Sequence, residues 1–134
     1  AGKLGANLTD ISFAIEDYIR SQGKYGILRE YGGHGIVTEM HQEPHVLNFG
    51  AAGMGPELKP GIALAIEPMI TRGSPKTKVL ADEWTVVSQD GSRGAHFEHT
   101  FALLEDGKPF VLTAIDGGAA KLAKFGLEIS NLLM

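Results

Sequence analysis

The N-terminal part of the chain has apolar residues at helical spacing. Between residues 7 and 22 an apolar side chain recurs every three or four positions, which places these side chains on one side of a helix. Thr9 is a candidate N-cap, and Gly23 is a candidate stop because glycine tolerates the backbone geometry that ends helices. The pattern predicts one amphipathic helix, with an apolar side made of Leu8, Ile11, Ile15, Tyr18 and Ile19.

Beyond Tyr25, short apolar and β-branched segments alternate with glycine and proline, a pattern typical of strands joined by turns. One helix followed by such strands indicates an α+β fold with an antiparallel sheet. The segments between the predicted strands are expected to be connections. The predicted strands cover residues 63–70, 84–89, 95–104 and 110–113, and the predicted connections cover 51–56, 59–61 and 72–78.

The composition changes after residue 113. Asp116-Gly117-Gly118 is typical of a linker or turn, and apolar residues then recur at helical spacing, although Gly126 weakens that pattern. We therefore divide the chain into a domain of residues 1–113 and a C-terminal tail or appended helix of residues 114–134. The stripe consists of Leu122, Phe125, Ile129 and Leu132.

The length of 134 residues fits one modest domain, and the charge limits its partners. A net charge of -4 without a basic block argues against nucleic-acid binding. No apolar run approaches the roughly 20 residues of a membrane-spanning helix. There are no cysteines for disulfides or thiolate metal sites, and the first residues lack the apolar segment of a secretory signal. We expect a soluble cytoplasmic protein.

Two glutamates interrupt otherwise apolar predicted strands. Glu67 follows Ala-Leu-Ala-Ile and precedes Pro68, which removes a ladder donor and predicts that the strand bends or ends there. Glu98 lies between His96-Phe97 and His99-Thr100. A buried unpaired carboxylate costs several kcal/mol, and neither segment contains lysine or arginine. Two carboxylates with one neutral imidazole would suit Mn²⁺, Fe²⁺, Co²⁺ or Zn²⁺.

Each candidate taken alone also has an ordinary structural interpretation. His34, set between glycines, could be a loop histidine that is bonded to the backbone, and Glu67 could face solvent on an edge strand. His41, taken alone, is expected to be an exposed loop residue. The remaining imidazoles and two aromatic side chains are expected to be structural, namely His45, His96, His99, Tyr31 and Trp84.

Five segments taken together resemble the C-terminal half of type I methionine aminopeptidases. They follow one another in the order of that family and extend the resemblance over roughly residues 6–113. The resemblance implies half of a pita-bread fold, in which two related α+β halves surround a dinuclear metal site. The segments are Gly33-His34-Gly35-Ile36, Met40-His41-Gln42-Glu43-Pro44, Ala65-Ile66-Glu67-Pro68-Met69-Ile70, Trp84-Thr85-Val86-Val87 and Phe97-Glu98-His99-Thr100.

The resemblance implies a role for each matching residue. His34, Glu67 and Glu98 correspond to metal ligands, with Glu98 bridging two ions, and Glu67 would also carry a proton in catalysis. His41 corresponds to a histidine that contacts the substrate peptide without binding metal. The glycines beside His34 would let the backbone approach the metal and the substrate closely. The implied wall for the substrate's methionine side chain consists of Tyr31, Met40 and Trp84.

The chain departs from the family pattern in two ways. Val37 stands where the family has a smaller residue, and a β-branched side chain would stiffen the loop. The two aspartates of the family's N-terminal half have no counterpart here. Two ions bring four positive charges, so Glu67 and Glu98 alone would neutralise only one, and we expect this chain to bind about one ion weakly. A missing N-terminal half or a partner chain would complete the site.

Three functions remain open at this point. The first is removal of N-terminal methionine from nascent peptides, with a chain that is inactive until an N-terminal half completes it. The second is a non-catalytic binding module on the pita-bread scaffold. The third is a related metallopeptidase that acts next to proline or on dipeptides.

Titration calorimetry of the chain with Mn²⁺ or Co²⁺ checks the ligand assignment. We expect about one weakly bound ion, weaker binding at acidic pH as His34 takes up a proton, and a large loss of affinity in Glu67→Gln and Glu98→Gln. His41→Ala should leave the isotherm nearly unchanged. Unchanged binding in both glutamate variants would contradict the assignment, and a large loss in His41→Ala would make His41 a ligand.

Overall fold

The computed structural model describes residues 1–131 and contains the predicted N-terminal helix as α1, Leu8–Gln22. The helix begins after Asn7, whose backbone N–H donates to the Asp10 carboxylate at 2.9 Å. Thr9 is therefore not the cap. Its hydroxyl instead accepts from Met54 N–H at 2.8 Å and donates to the Met54 carbonyl at 3.0 Å, which ties the helix to the loop before residue 56. Gly23 ends the helix as predicted.

All the paired strands of residues 1–131 run antiparallel, which confirms the expected α+β class. They form a five-stranded sheet in the order β10-β9-β4-β2-β3, a three-stranded sheet in the order β1-β5-β8, and the hairpin β6-β7. The strands are β1 Gly26–Ile27, β2 Gly33–Gly35, β3 Gln42–Val46, β4 Ala63–Ile66, β5 Met69–Thr71, β6 Thr77–Val79, β7 Val86–Ser88, β8 Gly94–His96, β9 His99–Leu103 and β10 Pro109–Val111.

The two longest predicted strands are each broken in the middle. The segment 63–70 divides into β4 and β5 at Glu67-Pro68, as the proline predicted, and the segment 95–104 divides into β8 and β9 at Phe97-Glu98. Both breaks occur where the chain passes between the two sheets, because β4 pairs with β9 and β5 pairs with β8. The Phe97 N–H donates to the Pro68 carbonyl at 3.3 Å across this corner. The two glutamates are therefore neighbours.

Other strand boundaries differ from the predictions. The predicted connection 72–78 contains the start of β6, and the predicted strand 84–89 is shorter, so Trp84 lies in the turn before β7. Strands β1, β2 and β3 were not predicted, because glycine in the first two and proline in the third mask their pattern. Residues 51–56 and 59–61 form connections, as expected.

Helix α1 packs its apolar side on the five-stranded sheet. The sheet contributes Leu64 and Leu103, both without exposed surface, and the connection before β4 contributes the equally buried Leu58. This layer fixes β2 and β4, the strands that carry the histidine and glutamate segments. The buried cluster comprises Ala6, Leu8, Ile11, Val46, Leu58, Leu64, Phe101 and Leu103.

The glycines on either side of His34 permit close packing of strands. A Cβ on Gly33 would lie 2.1 Å from the Ala65 carbonyl oxygen of β4, and one on Gly35 would lie 2.3 Å from the Glu43 carbonyl oxygen of β3. The atoms that exclude a side chain at both positions belong to neighbouring strands. The sheet therefore requires glycine at both positions, and the expected approach of the backbone to metal and substrate stays a prediction.

The C-terminal stripe is helical over only part of its length. Helix α2, Ala119–Leu122, continues as a 3-10 turn, Ala123–Phe125, and ends at Gly126 with φ 70. Ile129 lies outside any helix, and Leu132 lies outside the described residues. The Ser130 N–H donates to the Pro109 carbonyl of β10 at 3.1 Å, so the end of the described chain lies against the five-stranded sheet.

None of the helices within residues 1–131 combines the length and the apolar character needed to cross a bilayer.

The close approach of β2 and β4 predicts that Gly33→Ala is strongly destabilising. A Cβ there meets a backbone carbonyl that cannot rotate away, so we expect a loss of at least about 1–3 kcal/mol in the free energy of unfolding. Gly94→Ala is the matched control, since its nearest contact would be an ordinary 3.4 Å and its change should be small. Urea denaturation measures both, and equal stability of the two variants would contradict the packing argument.

Candidate metal site

Glu67 lies at the corner between the two sheets, with a histidine at each of its carboxylate oxygens. Oε1 is 3.3 Å from His34 Nε2, and Oε2 is 3.1 Å from His96 Nε2. The side chain of Glu67 is only 12% exposed, and no lysine or arginine within residues 1–131 pairs with it. This mostly buried carboxylate therefore has only imidazoles to compensate its charge.

The hydrogen bond at Nδ1 of His34 determines whether Nε2 faces Glu67 with a proton or with a lone pair. Nδ1 lies 2.9 Å from the Gly35 carbonyl, which can only accept, so Nδ1 carries a proton and donates. In a neutral imidazole Nε2 then presents a lone pair to the carboxylate oxygen of Glu67. Two acceptors then face each other, an arrangement that a shared cation would stabilise. A ligating histidine whose other nitrogen donates to a backbone carbonyl is common in metal sites.

The Glu67 carboxylate also lies close to His96 and Glu98. Donor atoms of Glu67, His96 and Glu98 all lie within 4.8 Å of one another. His96 and Glu98 are exposed, so the group opens to solvent. The predicted set of His34, Glu67 and Glu98 thus differs by one imidazole from the set that converges here, and the assignment of ligands stays a prediction. The sequence contained a signal for His96, because residues two apart in extended chain lie on the same side.

His41 lies beside this group without bonding to Glu67. Its ring centroid is 4.4 Å from that of His34, and the two rings are tilted by 58°. The side chain is exposed, on the loop between β2 and β3. His41 can therefore reach a molecule bound over His34, as a substrate contact requires, and this role also stays a prediction.

The predicted methionine wall is only partly assembled in the described residues. Tyr31 lines a cavity of about 890 Å³ between the three-stranded sheet and the hairpin β6-β7, together with His96, Leu28 and Met69. Met40 and Trp84 are not among the residues that line it, and they are 71% and 86% exposed. The three side chains do not form one closed pocket in this chain.

The turn that carries Trp84 is held by a carboxylate. The Thr85 hydroxyl and the backbone N–H groups of Thr85 and Trp84 donate to Asp82, and these bonds hold the pKa of Asp82 below its ordinary value. Trp84 is thus exposed on a turn with internal hydrogen bonds. Val37 is also exposed, on the loop before His41, and nothing in the described structure shows the narrowing expected from it.

Asn48 is a residue that the sequence analysis missed. It has no exposed surface, and its Nδ2 donates to the backbone carbonyl of Glu67 at 3.2 Å, whereas its Oδ1 has no partner. A buried amide that bonds 19 positions away fixes the backbone of the residue that carries the central carboxylate. A polar side chain within the apolar stretch Val46-Leu47-Asn48-Phe49 was the available signal.

Comparison with known proteins assigns a family to most of the chain. The profile of metallopeptidase family M24 matches residues 1–105. A methionine aminopeptidase of Clostridium acetobutylicum is 51% identical over 110 residues, which cover 82% of this chain and 43% of that protein. Methionine aminopeptidase 1 of Bacillus subtilis is 48% identical over 105 residues, covering 78% of this chain and 42% of that protein. The chain thus spans less than half the length of these relatives.

Comparison with solved structures supports the same family assignment. The methionine aminopeptidase of Thermotoga maritima superposes with a TM-score of 0.78 at 43% identity, over 83% of this chain and 44% of that one. A dipeptidase of Pyrococcus horikoshii is less similar, with a TM-score of 0.55 at 28% identity, over 85% of this chain and 26% of that one. The expected half of a pita-bread fold is confirmed.

The Asn48 bond predicts a loss of metal affinity in Asn48→Leu. Leucine has a similar volume and keeps the core filled, but it releases the Glu67 carbonyl, and loss of a bond that orients a ligand typically costs about 10–100-fold in affinity. The matched control is Thr71→Val, because the buried Thr71 hydroxyl bonds to the Ser74 carbonyl at 2.9 Å, at the far end of β5. Calorimetry with Mn²⁺ compares the two, and equal affinities would contradict this role of Asn48.

Proposed function

Because the chain belongs to metallopeptidase family M24, we propose that it supplies about half of the catalytic centre of a methionine aminopeptidase. The complete centre would remove N-terminal methionine from nascent peptides and would contain two divalent ions. Cytoplasmic synthesis of such peptides would place the protein in the cytoplasm.

One observation carries the proposal, and it is the environment of the Glu67 carboxylate. The carboxylate is 12% exposed, an imidazole lies at each oxygen, and the lone pair of a neutral His34 would face it. A buried carboxylate of this kind is unfavourable without a cation, and imidazole with carboxylate is a donor set that Mn²⁺, Fe²⁺, Co²⁺ and Zn²⁺ accept. The donor chemistry of these residues fits the metal of the family.

The residues of this chain would divide the work as the family resemblance implies. His34, Glu67 and Glu98 would hold the metal, which when bound supplies Lewis acidity for the scissile carbonyl and lowers the pKa of a bound water. Glu67 would also carry a proton in catalysis, as the family resemblance implies. His41, exposed beside His34, would hold the substrate peptide by a hydrogen bond.

The substrate pocket would be completed by protein that this chain does not contain. Tyr31 lines a cavity, whereas Met40 and Trp84 are largely exposed on two loops. Aromatic and thioether groups suit an unbranched apolar side chain, but only when a second surface covers them. We infer that the opposite wall and the missing carboxylates come from an N-terminal half or a partner chain. Nucleic acid and membranes are not proposed as partners.

Two alternatives are less well supported. The Pyrococcus horikoshii dipeptidase is less similar than the Thermotoga maritima methionine aminopeptidase in both identity and TM-score, which favours methionine over dipeptide substrates. A non-catalytic binding module would have no need of a buried carboxylate between two imidazoles. Release of methionine rather than of proline dipeptides from test peptides separates the two enzymatic functions.

The proposal predicts that activity needs complementation. The 134-residue chain alone should release little or no methionine from Met-Gly-Met-Met with Mn²⁺ or Co²⁺, since a site with ligands on one side cannot hold the reacting groups in place. Addition of the N-terminal half of the Bacillus subtilis relative should restore release, which chromatography of free methionine measures. Turnover by the purified chain alone would contradict the half-site.

Matched variants show whether restored activity comes from this chain. Glu98→Ala should abolish it, whereas Glu105→Ala should not, because Glu105 is an exposed residue of the turn between β9 and β10. Activity that survives Glu98→Ala would show that the chain does not supply the proposed catalytic carboxylate.

A further inference from the structure

We propose that His96 is itself a metal ligand and would hold an ion together with Glu67 and Glu98. The inference rests on the proposed metal centre and adds a donor to it. The ligand set implied by the family resemblance contains one histidine from this chain, His34. The structure places a second one at the same carboxylate.

The separations of the donor atoms fit ligands of a common ion. Ligands about 2.0–2.2 Å from an ion, at octahedral or tetrahedral angles, are themselves about 3.0–3.5 Å apart. His96 Nε2 lies 3.1 Å from Glu67 Oε2, and His34 Nε2 lies 3.3 Å from Glu67 Oε1. Both pairs therefore have the spacing of neighbouring ligands. The third donor, from Glu98, lies within 4.8 Å of those of Glu67 and His96.

The corner between the sheets explains why His96 points to Glu67. His96 is the last residue of β8 and is paired with Met69, the first residue of β5. The Phe97 N–H then donates to the Pro68 carbonyl, so the chain carries His96 and Glu98 past Glu67 on the same side. The sheet pairing, and not a flexible loop, sets the position of the imidazole.

The neighbouring His99 differs from His96 in its hydrogen-bond partner. Its Nδ1 lies 2.8 Å from the Thr113 hydroxyl, and its ring packs edge-on against Phe97 at 5.2 Å. It has a structural partner, whereas the only hydrogen-bond partner of the His96 ring within residues 1–131 is Glu67. The His96 side chain is 49% exposed, so an ion can reach it from solvent.

The added imidazole changes what this half can hold. His96 is a neutral donor, so it strengthens the binding of one ion without adding the charge needed for two. With Glu67 and Glu98 it forms a group of one nitrogen and two carboxylate ligands that neutralises one divalent ion. This group can take up an ion before an N-terminal half is present.

The test uses Mn²⁺ and Zn²⁺ alone as probes of the full 134-residue chain. His96→Gln keeps a donor toward Glu67 but removes the imidazole, and we expect about a tenfold or larger loss of Mn²⁺ affinity by calorimetry. His99→Gln is the matched control and should leave the affinity unchanged. In the unsubstituted chain, Zn²⁺ should shift the ¹⁵N resonance of His96 Nε2, a direct sign of ligation that does not depend on how well a variant folds.

The outcomes separate this inference from the function on which it rests. If Glu67→Gln and Glu98→Gln lose Mn²⁺ binding while His96→Gln does not and Zn²⁺ leaves the His96 resonance in place, His96 is not a ligand and the proposed metal centre stands. If the glutamate variants also bind normally, the metal centre itself is wrong. Loss of affinity in His96→Gln equal to that in His99→Gln, without a resonance shift, also overturns the inference.

Discussion

The burial of one carboxylate without a basic partner is the constraint on which this structure depends. Glu67 is 12% exposed at the corner between two sheets, and within residues 1–131 its ion-pair partners are the imidazoles of His34 and His96. Such a group is costly unless a cation joins it. Three contacts position the donor atoms around this carboxylate. Asn48 bonds to the Glu67 backbone, the Gly35 carbonyl orients His34, and His96 lies against the second oxygen.

The corner itself follows from how the two sheets share their strands. The chain leaves the five-stranded sheet after β4 and enters the three-stranded sheet at β5, and it returns between β8 and β9. Both crossings are side by side, and each has a glutamate at the break. Proline at position 68 cannot donate to a ladder, which makes the first break obligatory. The break in backbone pairing is what lets Glu67 and Glu98 approach each other.

Several large apolar side chains of residues 1–131 are exposed. The chain spans about 43% of the Clostridium acetobutylicum enzyme, and Met40, Trp84 and Phe97 are mostly exposed. Exposed apolar side chains of this size are typical of a surface that another protein segment covers. The proposed complement thus has both a chemical reason, the missing carboxylates, and a packing reason.

Much of the fold and of the site was readable from the sequence, because local spacing and unusual composition encode it. Helical periodicity defined α1, Pro68 marked the end of β4, and acids within apolar strands pointed to Glu67 and Glu98. Other features depend on partners distant in the chain. Strands β1 to β3 are too rich in glycine and proline for propensity to reveal them, and sheet pairing alone makes them strands.

The tertiary structure also decided which polar residues meet. His34 and His96 are 62 positions apart, and Asn48 is 19 from Glu67, so no local pattern could bring them to one carboxylate. The requirement for glycine at positions 33 and 35 likewise comes from the backbone carbonyls of adjacent strands. The sequence by itself determined the types of donor and the one strand break that Pro68 required. Only the antiparallel pairing of β4 with β9 and β5 with β8 determined that they converge, because register is a property of two strands and not of one.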